Sequence, residues 1–273
     1  MTIDRFGDAR RLGGAALYAA ITAQRLGLSV GLLTSHGDDF PLEAVPPAIE
    51  VVTIPAAETT TFVHGTDGAS RTLSAEVTAN PITAQDLPDD WADAPVALLA
   101  PVANEVDPLI AARFPDALIG AAVQGWLRQA GDDGIVTPAT WAPPSWLLDR
   151  VAVFFMSLDD VQGLEDEVTE WLERLPLAVL TAGAKGALLY VSGDRYEIAP
   201  LPVEEIDATG AGDVFAAAFL TRLHLADEPW EAARVAACAA AMSVCGPGFT
   251  AVPNARAVAS ALGDYRRMRD AAP

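Results

Sequence analysis

From Pro95 onward, short apolar runs alternate with polar or helix-forming segments. The apolar runs are VALLAPV, PLIAARF, ALIGAAV and VAVFFM, and a long acidic amphipathic stretch then continues to Leu175. This alternation predicts an α/β fold, in which a parallel sheet carries helices on both faces. Ligands on such sheets gather at the carboxyl ends of the strands. Gln124, Trp126 and Arg128 follow one of these runs and are candidates for that edge, although a Trp that covers the core beside two solvated polar groups fits equally well.

The start of the chain has a helical pattern followed by a strand pattern. Residues 13–26 predict a helix that begins with Gly13 and Gly14, and residues 28–34 predict an apolar strand. The two glycines either permit close helix packing or serve a binding role.

Two β-rich runs, at residues 59–64 and 71–77, flank the turn GTDGAS and predict a hairpin. This hairpin, at about residues 56–80, is a candidate lid over a binding site, with a plain surface hairpin as the alternative. His64 lies on the hairpin, and we interpret it as incidental rather than catalytic.

The C-terminal part predicts a further hairpin and three helices. Residues 177–193 have the pattern strand, Gly turn, strand, with Lys185 exposed in the turn. The segments from Asp213 to Leu225 and from 229 to 244 are apolar nearly all round, as expected for buried helices. A break at 245–248 and an amphipathic helix over about 254–269 follow.

Composition narrows the class of protein. The chain has 273 residues, of which 51% are hydrophobic, and this favours one domain with a large core. Its 37 acidic and 17 basic residues give a net charge of -20, which argues against nucleic acid or an anionic membrane surface as a partner. Cys238 and Cys245 are expected to be buried thiols. The absence of an 18-residue apolar run predicts no membrane span, and because Asp4 and Asp8 disfavour a signal peptide, we expect a cytoplasmic protein.

The stretch from Ile206 to Asp213, IDATGAGD, has the pattern of an anion site. Its glycines run directly into an apolar helix, whose first N–H groups have no intrahelical partner and carry partial positive charge. Asp213 lies at the same end, where it could take a proton from a hydroxyl that attacks a bound phosphate. An ordinary Gly turn with an acid that favours the helix dipole is the alternative.

The run DATGAGD resembles the C-terminal signature D-T-x-G-A-G-D of the ribokinase-like sugar kinases, the PfkB family, with Ala208 in place of the usual Thr or Pro. The resemblance implies that Asp213 is the catalytic base and that the backbone of Gly210, Ala211 and Gly212 forms the anion hole. We expect Asp213 to act without a large pKa shift. The resemblance also implies ATP and Mg²⁺ as cofactors.

Other positions gain roles from the same resemblance. Ser157 and Asp160 replace the family's N-x-x-E, so Asp160 would organise Mg²⁺ through water, although Ser157 as a helix N-cap fits as well. The implied donor-site residues are Thr181, Gly183, Lys185 and Gly186 near the ATP phosphates and Gly248 beside the adenine. The implied acceptor-site residues are Asp4, Gly13 and Gly14, and Arg128, from its place after an apolar run, is a further acceptor-site candidate.

The N-terminus departs from the family pattern. The family begins with a strand that ends in the substrate Asp, and residues before Asp4 leave almost no room for it. Either that strand is absent, or the chain as given starts about ten residues late. Without the resemblance, Asp4 would be interpreted as a solvated terminal acid.

Together these features predict one ribokinase-like domain, a three-layer α/β sandwich with a mostly parallel central sheet and a small hairpin lid. The implied activity is phosphorylation of a small sugar or polyol by MgATP, closest to the inositol-kinase-like branch. A nucleoside kinase and a catalytically silent sugar-binding or regulatory homologue are the alternatives. We expect a monomer or a homodimer.

Overall fold

The computed structural model describes residues 1–67 and 70–270. The predicted turn GTDGAS therefore lies partly outside the described residues. The strands are β1 Thr2–Phe6, β2 Ala9–Gly13, β3 Val30–His36, β4 Ile49–Pro55, β5 Thr61–Asp67, β6 Ser70–Val77, β7 Val96–Leu99, β8 Leu118–Ala122, β9 Arg128–Ala130, β10 Val136–Pro138, β11 Val153–Ser157, β12 Leu177–Thr181, β13 Ala187–Val191 and β14 Asp194–Ile198. The helices are α1 Ala15–Arg25, α2 Ser145–Arg150, α3 Glu165–Arg174, α4 Ala211–Ala226, α5 Pro229–Ser243 and α6 Ala255–Asp270.

The central sheet has the strand order β14-β13-β12-β11-β8-β7. Its strands β7, β8, β11 and β12 are parallel, while β13 and β14 form an antiparallel edge. Along β11, Val153 and Phe155 pack into one hydrophobic core, whereas Phe154 and Met156 pack into the other. Because successive strand residues point to opposite faces, this alternation places a core on each side of the sheet. The result is the predicted three-layer arrangement.

Helix α4 is the central buried helix. The side chains from Val214 to Leu220 are all buried, and α4 packs against both α5 and α1. The prediction of two helices that are apolar nearly all round is confirmed. Cys238 is buried as expected, but Cys245 is exposed because it follows the end of α5.

The predicted hairpin forms, and it belongs to a larger sheet than the sequence predicts, which we call the lid sheet. Its role as a lid over a binding site stays a prediction. Strands β5 and β6 pair as an antiparallel hairpin, and β1 and β2 extend them into the order β2-β1-β5-β6. Strand β1 pairs in parallel with β5, for example Ile3 with Thr61. The chain therefore contributes its first strand to the lid sheet, and Gly13 lies in β2 rather than in the helix that follows.

A gap separates β3 and β4 from the central sheet. Strand β3 pairs only with β4, and β7 pairs only with β8, among the residues described. The free edges of β3 and β7 line a cavity of about 590 Å³. The amino group of Met1 donates a hydrogen bond to Thr34 Oγ1 at 2.8 Å, beside this cavity. The apolar walls include Ala16, Ala20, Leu32, Leu98, Ala217 and Leu220.

No helix within 1–67 and 70–270 is both long and apolar enough to cross a membrane.

Candidate active site

The start of α4 forms the predicted anion site, although with fewer free N–H groups than expected. Gly210 adopts the left-handed conformation with φ 77° and caps the helix. A Cβ on Gly210 would lie 2.3 Å from the Tyr18 ring, so no other residue fits without movement. The Ala211 N–H donates to the Ala208 carbonyl at 3.2 Å. Within the described chain, Gly212 and Asp213 donate to no backbone carbonyl, and these two N–H groups remain for an anion.

Gly212 faces open space. It is exposed, and a Cβ built on it would meet no atom within 4 Å among the residues described. A phosphoryl group can therefore approach the helix end at this point without displacing protein atoms.

Asp213 is a stronger base than the sequence predicts. Its pKa is raised to about 7, because burial raises it most, the Arg128 guanidinium lowers it and the Asp160 carboxylate raises it. The expectation that Asp213 acts without a large pKa shift is therefore wrong, because two charges from distant segments and a desolvated cleft act on it. A carboxylate with a pKa near neutral pH is well matched to general base catalysis.

Asp160 is held by a network of donors. Its oxygens accept hydrogen bonds from Ser157 Oγ at 2.6 Å, Gln124 Nε2 at 2.9 Å and Arg128 Nη2 at 3.3 Å. Ser157 ends β11 and accepts from the Asp160 N–H at 3.0 Å, whereas α3 begins only at Glu165, so Ser157 closes a turn and does not cap a helix.

The surroundings of Asp160 fit direct Mg²⁺ ligation poorly, because its carboxylate already accepts hydrogen bonds from a guanidinium, an amide and a hydroxyl. No group of three acidic, His or Cys side chains able to hold a metal is found in the described part of the chain. Organisation of Mg²⁺ by Asp160 through water stays a prediction.

Asp4 is buried rather than solvated. His64 Nε2 lies 2.9 Å from Asp4 Oδ1, and the Thr2 hydroxyl donates to Asp4 Oδ2 at 3.1 Å. A Cβ on Gly13 would lie 2.7 Å from Asp4 Oδ2, and a Cβ on Gly14, whose φ is 99°, would lie 2.9 Å from the Thr2 amide. Close packing against β1 thus accounts for both glycines, and their role in acceptor binding stays a prediction.

Tyr18, which the sequence analysis did not select, joins the two halves of the site. It is buried, and its pKa is raised by burial and by the carboxylates of Asp207, Asp4 and Asp213. The structure thus brings Asp4 and Asp213, which are far apart in sequence, to the same tyrosine. The one local signal was a large aromatic residue in a helix of small residues.

Asp207 ties the anion loop to its neighbours. It accepts from the Thr209 N–H at 3.0 Å, the Gly248 N–H at 3.1 Å and Arg11 Nη1 at 2.8 Å. Although burial alone would raise the pKa of Asp207, these hydrogen bonds and the Arg11 charge hold it below its ordinary value. The Gly248 N–H is therefore already engaged.

The predicted phosphate loop is a tight hairpin turn between β12 and β13. Gly183 and Gly186 have φ of 55° and 93°, and a Cβ on Gly186 would lie 2.2 Å from the Ile198 carbonyl oxygen. The Thr181 hydroxyl donates to the Met156 carbonyl at 3.3 Å. Lys185 is exposed and forms no ion pair within the described residues. Turn geometry alone accounts for these glycines, so a donor role for the loop stays a prediction.

Comparisons with known proteins identify the family and the fold of this chain. The model of the pfkB family carbohydrate kinases matches residues 110–255. The chain is 26% identical to an inositol 3-kinase of Arabidopsis thaliana over 219 residues, which are 76% of this chain and 60% of that protein. It is also 26% identical over 234 residues to a cytidine kinase of Thermococcus kodakarensis, covering 79% of this chain and 82% of that protein.

A solved structure, a pyrophosphate-dependent kinase in the ribokinase family complexed with a pyrophosphate analog and myo-inositol, matches with a TM-score of 0.78 and 19% identity. The match covers 95% of this chain and 96% of that structure, and it confirms the ribokinase-like fold. The family model covers more than half of the 273 residues and includes the whole of the anion loop. The chain belongs to the pfkB family of carbohydrate kinases.

Proposed function

We propose that this protein transfers the γ-phosphoryl group of ATP to a hydroxyl of a small sugar or polyol. The observation that carries the proposal is Asp213, a carboxylate with a pKa of about 7 at the open N-terminus of α4. A base and an anion site at one helix end are the two parts that transfer to an alcohol requires.

In the proposed reaction, the acceptor hydroxyl gives its proton to Asp213 as its oxygen forms a bond to the γ-phosphorus. The bond between that phosphorus and the bridging oxygen breaks, and ADP leaves. The N–H groups of Gly212 and Asp213 hold the phosphoryl oxygens, and Arg128 supplies positive charge beside them. Mg²⁺, when bound, would neutralise further charge on the donor phosphates.

The remaining predicted residues complete the proposal. Gly210 and Ala211 shape the anion loop, and Asp160 holds Arg128. The proposed acceptor contacts are Asp4, Gly13, Gly14 and Arg128, and the proposed donor contacts are Thr181, Gly183, Lys185, Gly186 and Gly248.

The similarity to an inositol 3-kinase supports a polyol acceptor. The similarity to a cytidine kinase supports a nucleoside as the second candidate. Phosphoryl transfer to a panel of inositols, sugars and nucleosides separates the two, with ATP and pyrophosphate each tested as the donor because the matched structure uses pyrophosphate.

The decisive variant is Asp213→Asn, which keeps the shape and removes the base. We expect single-turnover phosphorylation of the best acceptor to fall by about 10² to 10⁴, while calorimetric binding of ATP is unchanged. Asp159→Asn is the matched control, since Asp159 is exposed and adjacent to Asp160. Unchanged turnover in Asp213→Asn would contradict the mechanism, and a wild-type protein that phosphorylates no acceptor would favour the silent homologue.

A further inference from the structure

A stack of planar side chains lies on the lid sheet beside Asp4. Phe6 of β1 is directly opposite His64 of β5, and their rings are parallel within 10° with centroids 4.3 Å apart. The Arg11 guanidinium lies 4.8 Å from the centroid of the Phe6 ring. Stacking and strand pairing together fix the plane of the His64 ring.

The fixed ring directs one nitrogen at the Asp4 carboxylate. His64 Nε2 is 2.9 Å from Asp4 Oδ1, and because an ionised carboxylate only accepts hydrogen bonds, Nε2 carries the hydrogen. Asp4 Oδ2 is separately held by the Thr2 hydroxyl at 3.1 Å. Each carboxylate oxygen therefore accepts one hydrogen bond within the protein and keeps a lone pair for a further donor.

We propose that His64 is a positioning residue that orients Asp4 to receive the hydroxyl groups of the acceptor, and so sets the affinity for the acceptor. The inference rests on the proposed function, in which Asp4 binds the acceptor. A carboxylate that is already oriented loses less freedom when the acceptor binds, and its bonds to the hydroxyl groups are correspondingly more favourable. The interpretation of His64 from sequence as incidental is replaced by this role.

The kinetic test compares His64→Ala with His64→Gln. Loss of a hydrogen bond to a charged group should raise KM for the acceptor about tenfold, with kcat and the KM for ATP unchanged. His64→Gln should recover most of the affinity, because its amide nitrogen can donate to Asp4. Arg5→Gln is the control, since Arg5 lies between Asp4 and Phe6 on the opposite face of β1 and pairs with exposed Glu76.

A merely structural role for His64 predicts a lower melting temperature for His64→Ala with no selective change in acceptor KM, and that result would overturn the inference. Equal losses for acceptor and donor, or no recovery in His64→Gln, would also overturn it.

A second measurement does not depend on turnover. Imidazole ¹⁵N chemical shifts of His64 should show the hydrogen on Nε2 in the wild-type protein and a changed tautomer population in Asp4→Ala, which removes the acceptor oxygen. If the wild type phosphorylates no acceptor, the proposed function fails, and with it the role in acceptor affinity. In that case the shifts still decide whether His64 holds Asp4, and unchanged shifts in Asp4→Ala would show that the contact is absent.

Discussion

Asp213 shows how far the surroundings of a single residue can determine its chemistry. Its pKa of about 7 has three sources, namely burial in the cleft, the cation Arg128 and the anion Asp160. Neither Arg128 nor Asp160 is adjacent to Asp213 in sequence. The predicted identity of the base depends on a local motif, whereas its strength depends on contacts that only the fold creates.

The raised pKa leads to a pH prediction. Because only the ionised carboxylate accepts a proton, kcat/KM for the acceptor should be low in acid and rise with pH, with a midpoint near pH 7. The measurement is a pH–rate profile of kcat/KM from about pH 5 to about pH 9. Arg128 lowers the pKa of Asp213, so Arg128→Met should move the midpoint to higher pH.

Arg174→Met serves as the control for this shift, because Arg174 bonds to Ser145 and Asp149 and not to the network around Asp160. A midpoint that stays near the ordinary Asp value in the wild type, or one that falls in Arg128→Met, would contradict the assignment of Asp213 as a base with a raised pKa.

At the scale of secondary-structure elements, the start of α4 separates a structural glycine from a functional one. Gly210→Ala should destabilise the protein, because φ is positive there and the new Cβ would overlap the Tyr18 ring. Gly212→Ala meets open space and gains helix propensity, so the melting temperature should be unchanged or slightly higher. Turnover should nevertheless fall by about tenfold or more, since the methyl group occupies the approach to the N–H groups.

Thermal unfolding and single-turnover kinetics on both variants test this contrast. Full turnover in a stable Gly212→Ala would show that the phosphoryl group does not sit at this helix end. If Gly210→Ala had the same melting temperature as the wild type, the packing argument would be wrong.

Elements with strong local patterns could be predicted from the sequence. The apolar faces of α4 and α5 and the hairpin of β12 and β13 follow from residue patterns over short windows. The lid sheet could not be predicted in full, because the pairing of Ile3 with Thr61 joins segments about sixty residues apart and leaves no periodic signal in either.

The same reasoning applies to the site. The DATGAGD motif identifies Asp213 and the anion loop because a glycine turn at a helix start has a local physical meaning. Tyr18 and His64 gain their importance only from neighbours in other segments, namely Gly210 and Asp4, and the sequence holds no local trace of either contact.

At the scale of the whole molecule, a cavity of about 590 Å³ lies between β3 and β7. Two of its walls are the edges of β3 and β7, which pair with no further strand among residues 1–67 and 70–270, and the other surfaces are largely apolar. The Met1 amino group is buried at its mouth, and burial lowers its pKa because the charged form is poorly solvated there.

An apolar extension of about five β-forming residues joined to Met1 should therefore stabilise the protein. The extension would pair with both strand edges and replace the buried ammonium by an amide. A gain of about 1 kcal/mol in the free energy of unfolding should raise the melting temperature of a chain of this size by about 2 to 4 °C. A Ser/Asn extension of equal length is the matched control. Equal melting temperatures for the two extensions would show that the cavity does not accept a strand.

The cavity also separates two groups of strands. Because no backbone hydrogen bonds join β3 and β4 to the central sheet among the residues described, the two groups are connected through the side-chain packing of α1 on α4. Asp4 lies in β1 of the lid sheet, and Met1, which precedes β1, bonds to Thr34 of β3. Asp213 lies in α4, which packs on the central sheet. The division therefore runs between the two proposed substrate sites, which among the residues described are joined by side-chain contacts such as the Arg11–Asp207 hydrogen bond at 2.8 Å and not by strand pairing.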